Sequence, residues 1–109
     1  MDIMYKAQEY INLHYREKIN LSDIADYVFL SKWYLSKIFK DEIKCNLTNY
    51  INKLRVEKSK TFLLRNNISL VEIANSVGFD DQSYFTKVFK KITGISPGKY
   101  RETHGNIVA

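Results

Sequence analysis

Lysine and hydroxyl side chains recur at the same spacing in two segments that lie fifty positions apart. Each segment carries one hydroxyl and two lysines: Ser36, Lys37 and Lys40 in the first, and Thr86, Lys87 and Lys90 in the second. Lysine ammonium groups only donate hydrogen bonds, whereas hydroxyl groups both donate and accept them. These groups are suited to binding a polar or anionic ligand. No nucleophile, base and oxyanion donor accompany them, so the pattern does not indicate covalent catalysis.

Each repeated segment has two opposite faces if it forms a helix, in which successive residues are about 100° apart. The predicted core faces are Leu35, Ile38, Phe39 and Glu42 in the first copy and Phe85, Val88, Phe89 and Ile92 in the second. The outward stripes are Trp33, Ser36, Lys37 and Lys40 in the first copy and Ser83, Thr86, Lys87 and Lys90 in the second. Neither outward stripe contains an acidic residue, so both are polar and basic.

Duplex DNA is a ligand that fits such a helix, because its major groove admits a helix and presents polar base edges. Lysine donates to guanine O6 and N7, serine and threonine bond either kind of edge, and apolar atoms contact the thymine methyl group. Lys40, Lys90 and Lys91 lie toward the helix ends, where phosphate contacts are expected. The excess of 17 Lys and Arg over 12 Asp and Glu also favours an anionic partner.

A charged stripe on an amphipathic helix is often only a solvated face. Two observations favour a ligand instead: the stripe recurs in both copies, and Trp33 lies among the lysines of the first. A large aromatic side chain on a polar surface commonly marks an interaction site. The alternative that Trp33 folds back over the neighbouring lobe stays open at this point.

The elements that carry the stripes are predicted to be helices. One Pro, four Gly and no sustained polar–apolar alternation indicate an all-α chain. Asn20 with Asp23, and Ser69 with Glu72, have the spacing of capping boxes that begin a short helix before each copy. Each short helix is followed by a brief turn, one residue longer in the second copy, and then by the helix that carries the stripe. Each copy is therefore a helix-turn-helix candidate.

Expected boundaries follow from capping residues and breakers. The stripe-bearing helices are predicted at about 31–42 and 81–93, capped by Ser31 and by Asp80 or Asp81. The domain organisation is predicted as a first helix-turn-helix lobe at 1–45, a linker helix at 46–66, a second lobe at 67–103 and a flexible tail at 104–109. Ser96 and Pro97 begin a last short helix that is expected to end near Tyr100.

At these residues the chain resembles the DNA-binding domain of AraC/XylS-type bacterial transcription regulators, from about Ala7 to Arg101. The most specific matches are Ile73-Ala74, Gly78-Phe79, Asp81 to Phe85, Phe89 to Lys91, Gly94, Ser96-Pro97 and Tyr100-Arg101. The resemblance implies seven helices, in two helix-turn-helix lobes bridged by a long helix. It also implies sequence-specific binding, as a monomeric unit, to two neighbouring major-groove segments on one face of double-stranded DNA.

The resemblance implies roles for individual side chains. It assigns base contacts to Trp33, Ser36 and Lys37 in the first lobe and to Gln82, Ser83 and Lys87 in the second. Phosphate contacts are expected from Lys32, Lys40, Thr86, Lys90 and Lys91. The chain departs from the family at Lys44, where Gly is common and an altered turn is expected. It also departs at Lys37 and Lys87, where many members have an Arg that reads guanine through two hydrogen bonds.

Other function classes are disfavoured by composition. Two distant His and a lone Cys45 have no metal-ligand spacing, and the lone Cys fits a reducing compartment. No secretory signal or apolar run of about 20 residues is present, so a cytoplasmic protein without membrane contact is expected. We expect no enzymatic activity and no cofactor.

Two questions stay open from the sequence. The alternative function is a helical protein-interaction module that uses Trp33 and the basic faces to contact RNA polymerase or an acidic partner. RNA polymerase is also expected as a second partner of the DNA-binding form. The chain is interpreted either as a piece of a longer regulator with a sensor or receiver domain or as a small free-standing member.

Overall fold

The chain folds into α-helices joined by short turns. A computed structural model describes residues 3–65 and 67–108, with side chains to residue 105. Its helices are α1 (Ile3–His14), α2 (Leu21–Val28), α3 (Lys32–Ile43), α4 (Leu47–Leu63), α5 (Leu70–Ser76), α6 (Gln82–Thr93) and α7 (Pro97–Val108). The described residues contain no strand, which confirms the prediction of an all-α chain with about seven helices. Asn66, the predicted end of the linker segment, lies outside the described residues.

Capping residues begin the short helices as predicted. The Asp23 amide donates to Asn20 Oδ1 at 2.9 Å, and the Asn20 amide donates back to Asp23 Oδ2 at 3.2 Å. This reciprocal pair is the capping box expected at α2. At α5 the Glu72 amide donates to Ser69 Oγ at 3.1 Å, but the Ser69 hydroxyl binds the Glu72 carboxylate instead of leaving it to the backbone. The second box is therefore only half formed.

Two compact units divide the chain inside α4: a first unit, Met1–Asn52, and a second unit, Lys53–Ala109. The first unit packs α1 on α2 and α2 on α3. Its fully buried apolar side chains are Ala7, Ile11, Ile24, Leu35 and Phe39. The second unit packs α5 on α6 and α6 on α7. Its fully buried apolar side chains are Val56, Leu63, Ile73, Ala74, Val77, Phe85, Phe89 and Pro97. Each core is thus built from helices of one unit.

The repeat is longer in the structure than the two helices found in the sequence. Buried residues of α1 recur with the same spacing in the later part of α4: Met4, Ala7 and Ile11, then Val56, Ser59 and Leu63. Ser59 fits this buried stripe because its hydroxyl donates to the Val56 carbonyl at 2.6 Å. The later part of α4 is therefore the second unit's counterpart of α1.

An aromatic contact extends the repeat to a fourth helix. Phe39 and Tyr50 meet edge to face, with ring centroids 5.3 Å apart and an interplanar angle of 80°. Phe89 and Tyr100 make the same contact at 5.6 Å and 74°, again fifty positions along the chain. The start of α4 thus corresponds to the start of α7. Each unit consists of four helical segments, and α4 contributes one segment to each unit.

The last helix is longer than predicted. The sequence placed its end near Tyr100 and left 104–109 as a flexible tail, whereas α7 continues to Val108. That prediction was wrong for residues 104–108; Ala109 lies outside the described residues. The His104 ring stacks on Tyr100 with centroids 4.1 Å apart, and the Thr103 hydroxyl donates to the Lys99 carbonyl at 3.0 Å. These contacts one turn apart, together with the buried Gly105, continue the helix past the expected end.

Arg101 joins α7 to the turn between α4 and α5. Its Nε donates to the Leu63 carbonyl at 2.9 Å. Its Nη2 donates to the carbonyls of Arg65 at 3.1 Å and Ile68 at 2.6 Å. Carbonyls at the end of a helix have no partner within the helix, so a cation with several donors satisfies them favourably. The sequence identified Arg101 only as part of the family match and did not predict this contact.

Replacing Arg101 by Met should lower the free energy of unfolding by about 2 to 3 kcal/mol, because three carbonyls lose a charged donor. The free energy of unfolding of Arg101→Lys should lie between those of the native protein and Arg101→Met, since one ammonium does not reproduce the planar set of donors of a guanidinium. Arg16→Met, which changes an exposed Arg of the first unit, should shift the free energy by less than about 0.5 kcal/mol. Urea denaturation followed by circular dichroism measures all three. Equal effects of Arg101→Met and Arg16→Met would contradict the stabilising role of the hydrogen bonds from Arg101 to the three carbonyls.

Candidate nucleic-acid interface

The same turn precedes α3 and α6. The Leu30 amide donates to the Ala25 carbonyl at 3.0 Å, and the Phe79 amide donates to the Ala74 carbonyl at 2.9 Å. The residue before each of these amides is left-handed, with φ of 59° at Phe29 and 103° at Gly78. This hydrogen-bond pattern closes a helix and redirects the chain. The same backbone hydrogen-bond pattern therefore precedes α3 in the first unit and α6 in the second.

The two turns differ by one residue in length, as predicted. Phe29 precedes the N-cap Ser31 by two positions, whereas Gly78 precedes the N-cap Asp81 by three. Ser31 Oγ accepts the Tyr34 amide at 3.1 Å, and Asp81 Oδ1 accepts the Tyr84 amide at 2.8 Å. Of the two candidate caps in the second copy, Asp81 is the one used.

The helices that carry the outward stripes also end alike. Lys44 at φ 71° and Gly94 at φ 92° are left-handed, and their amides donate to the carbonyls of Lys40 and Lys90 at 3.0 and 2.8 Å. The expectation of an altered turn at Lys44 was therefore wrong. Lysine takes the conformation that glycine takes in the second copy, at a steric cost that glycine does not carry.

The core faces of α3 and α6 are narrower than predicted. Four of the predicted core side chains are fully buried, namely Leu35, Phe39, Phe85 and Phe89, and Ile38 and Val88 are half-buried. Glu42 and Ile92 are exposed, so their assignment to the core was wrong. The buried side of each helix follows a four-residue spacing, which continues to Ile43 and Thr93. Both of these are half-buried, and Glu42 and Ile92 lie beside this line.

In the first unit, α3 presents its predicted contact residues to solvent. Lys32, Trp33, Ser36, Lys37 and Lys40 are all exposed, and the Trp33 side chain is 72% exposed. Within the first unit, no other helix covers the Trp33 ring. The Lys37 Nζ lies 5.8 Å from the centroid of the Trp33 ring, within the range of a cation–π contact.

In the second unit, α6 presents a similar but purely polar surface. Ser83, Lys87, Lys90 and Lys91 are exposed, whereas Gln82 and Thr86 are half-buried. The place of Trp33 is taken by Ser83, so Lys87 has no tryptophan one turn before it. All eleven predicted contact residues thus lie on α3 or α6, and none is fully buried.

A shallow groove adjoins Trp33 in the first unit. It runs between the start of α2 and the start of α3 and is lined by Asn20, Leu21, Ser22, Lys32, Trp33 and Ser36. The sequence predicted Asn20 only as a helix cap and did not associate Leu21 or Ser22 with the candidate surface.

Arg55 lies in the part of α4 that belongs to the second unit. It is half-buried, and its guanidinium carbon lies 5.8 Å from the centroid of Phe79 in the second turn. Burial lowers the pKa of Arg55, and the charges of Asp80 and Tyr84 act in the opposite direction. Arg55 therefore supports the turn that leads into α6 and is part of the internal structure of the second unit.

The described residues show neither a metal cluster nor a membrane-spanning helix. No group of three or more His, Cys, Asp or Glu side chains is placed to hold a metal ion there. Within the same residues, no helix has the length and apolar character needed to cross a bilayer.

Comparisons with known proteins agree with this geometry. A family model described as a helix-turn-helix domain matches residues 24–103. The regulatory protein PocR of Salmonella typhimurium is 34% identical over 99 residues, which cover 91% of this chain and 33% of PocR. The probable transcription factor PqrA of Proteus vulgaris is 38% identical over 90 residues, covering 83% of this chain and 74% of PqrA.

A solved structure matches in fold as well as in sequence. The C-terminal domain of AraT, a response regulator from Geobacillus stearothermophilus, superposes with a TM-score of 0.89 at 35% identity. The match covers 95% of this chain and 87% of that domain. Several curated relatives are much longer than this chain, which spans 33% of PocR and 35% of the Msm operon regulatory protein of Streptococcus mutans.

Replacing Phe29 by Gly should raise the free energy of unfolding by about 1 kcal/mol, because glycine adopts the left-handed backbone conformation without the steric strain that a side chain causes. Little packing is lost, since Phe29 is 92% exposed. The matched change Gly78→Ala should have the opposite sign and a similar size. Thermal unfolding followed by calorimetry measures both variants. A loss of stability in Phe29→Gly would mean that the side chain contributes to folding despite its exposure.

Proposed function

The chain belongs to the AraC/XylS type of helix-turn-helix family, and on that premise we propose that it binds double-stranded DNA sequence-specifically as part of a bacterial transcription regulator. The observation that carries the proposal is the pair of basic outward stripes on α3 and α6. Both helices are introduced by the same turn, and neither stripe contains an acidic residue. Exposed donors in a stripe that contains no acidic residue suit the polar edges of the major groove.

Each unit inserts one helix into a major-groove segment, and the two segments are neighbours on one face of the duplex. A helix of 12 residues is about 18 Å long, and the groove is about 12 Å wide. Bases are contacted by the side chains near the start and middle of the helices, namely Trp33, Ser36, Lys37, Gln82, Ser83 and Lys87. Phosphates are contacted by Lys32, Lys40, Thr86, Lys90 and Lys91, which fix position rather than sequence.

The partners and setting follow from this activity. The isolated domain binds as a monomer, because it carries two reading helices of its own. RNA polymerase is the second partner, the protein acts in the cytoplasm where bacterial DNA is found, and it performs no chemical reaction and holds no cofactor. PocR is named a regulatory protein and PqrA a probable transcription factor, which supports this proposal.

A protein-interaction module is the competing function, and the 72% exposure of Trp33 is the observation in its favour. The two functions differ in their response to salt. Binding through phosphates weakens steeply as salt rises, because counterions are released from DNA. Binding to a protein surface through Trp33 should persist in high salt and be lost in Trp33→Ala.

Selection of bound duplexes from a random pool tests the proposed function. We expect two conserved submotifs about 10 to 10.5 base pairs apart, one for each helix. A Lys37→Ala and Lys87→Ala double variant should enrich the pool weakly or not at all, since it removes one central donor from each stripe. Failure of the native protein to enrich any sequence at low salt would reject the proposal. A single short submotif would restrict DNA reading to one unit.

Replacing Lys40 or Lys90 by Ala should weaken binding to all duplexes uniformly and lower the salt slope by about one. Fluorescence anisotropy with a labelled duplex, repeated over a range of salt concentrations, measures the slope. Lys6→Ala is the matched control, because it removes an equal charge from the exposed side of α1. An unchanged slope in Lys40→Ala and Lys90→Ala would contradict the phosphate assignment, as would an equal change in the control.

A further inference from the structure

We propose that Trp33 is a positioning residue for Lys37, so that the two side chains read DNA as a coupled pair that the second unit lacks. Both lysines contact bases, but Lys37 then discriminates between base pairs more strongly than Lys87 does. The inference rests on the proposed DNA-binding function and deepens it, because it assigns different chemistry to two lysines that occupy equivalent places in the repeat.

The contact between the two side chains is the first step of the argument. Trp33 and Lys37 lie one turn apart on α3, both side chains are exposed, and the Lys37 Nζ is 5.8 Å from the ring centroid. No acidic side chain pairs with Lys37 among the residues that the structure describes. Residues one turn apart on a helix meet along the same face. Among the described residues, the ring is thus the group whose contact with this ammonium the structure records.

The second unit provides an internal comparison. Ser83 and Lys87 repeat the spacing of Trp33 and Lys37, but serine offers no ring to the ammonium. The other aromatic neighbours are the same in both units, since Tyr34 and Tyr84 each precede the lysine by three positions and are each 45% exposed. Within the described residues Lys87 makes no ring contact and no ion pair. The only aromatic difference between the two stripes is thus the tryptophan.

Orientation matters more for lysine than for arginine. The guanidinium of arginine is a planar fork with a fixed direction, whereas the lysine ammonium is a point charge on a flexible stem. A side chain that must be ordered on binding weakens the complex, and ordering it beforehand removes that cost. The Trp33 ring can order the side chain of Lys37 beforehand, whereas Ser83 offers no ring to Lys87.

The pair lies in the part of α3 to which the proposed function assigns base contacts. Trp33 and Lys37 occupy the first half of α3, and the groove lined by Leu21, Ser22 and Lys32 adjoins the ring. Lys40, one turn further along α3, has no tryptophan before it and is left with the phosphate role proposed above. The Trp33 ring thus contacts one lysine of the stripe, Lys37, which lies along α3 between the groove and Lys40.

A double-mutant cycle tests the coupling directly. Affinities of the native protein, Trp33→Leu, Lys37→Met and the double variant are measured for the duplex recovered by selection and for its single-base-pair variants. The native background should show about a tenfold loss of discrimination at one base pair on Lys37→Met. In the Trp33→Leu background the same change should cost about twofold or less, because the ammonium is no longer oriented. Leucine keeps an apolar contact with DNA at position 33.

The matched cycle is Ser83→Leu with Lys87→Met in the second unit. There the two changes should be additive, and Lys87→Met should cost less discrimination between base pairs than Lys37→Met does. Equal losses for Lys37→Met in the presence and absence of Trp33 would overturn the inference. So would coupling of the same size in the second unit, because the ring would then not be its cause. Thermal unfolding of every variant checks that these exposed substitutions leave the fold intact.

A measurement without DNA separates this inference from the proposed function. The aromatic ring should shift the side-chain methylene protons of Lys37 upfield in the proton spectrum of the free protein, relative to those of Lys87. The shift should disappear in Trp33→Leu. Unshifted Lys37 protons would overturn the pairing even if DNA binds as proposed. Shifted protons in a protein that enriches no duplex would reject the proposed function and, with it, the recognition role of the pair.

Discussion

Burial of two phenylalanines fixes how each of the helices α3 and α6 is rotated about its own axis. Phe39 and Phe89 are completely buried, and each is held from the side by a tyrosine one helix further along the chain. Removing such a side chain typically costs about 3 to 5 kcal/mol, so rotation of the helix away from the core is strongly opposed. Everything on the opposite face, including both outward stripes, depends on this constraint.

Each copy of the repeat is a unit of four helical segments with its own core, not only a duplicated helix-turn-helix motif. A helix-turn-helix pair has two apolar faces to bury, and the structure supplies a third and a fourth helical segment in both copies. The helix α4 ends one copy and begins the other. The units have nevertheless diverged. In the first unit, Phe29 and Lys44 adopt the left-handed backbone conformation that glycines adopt in the second. The second unit in turn uses Arg55 and Arg101 to support its turns.

Several features could be predicted because they depend on residues close together in sequence. The caps at Asn20, Ser31 and Asp81 need only a side chain three positions from an amide, and their predicted roles are confirmed. Errors occurred where burial depends on distant neighbours. The ideal helical wheel of 100° per residue assigned Glu42 and Ile92 to the core. In the structure, the other helices of each unit cover the neighbouring positions Ile43 and Thr93 instead. The contact roles of the outward residues stay predictions.

The sequence by itself determined the all-α class, the two turns and the residues of the outward stripes, since all three follow from spacing within one or two helical turns. Only the tertiary structure decided that the repeat has four segments. The segments at the ends of the repeat share buried positions and one aromatic contact, but few identical residues. The tertiary structure also placed Arg101 against three carbonyls and Lys37 against Trp33. Such contacts depend on where side chains point after packing, which residue types and spacing leave undetermined.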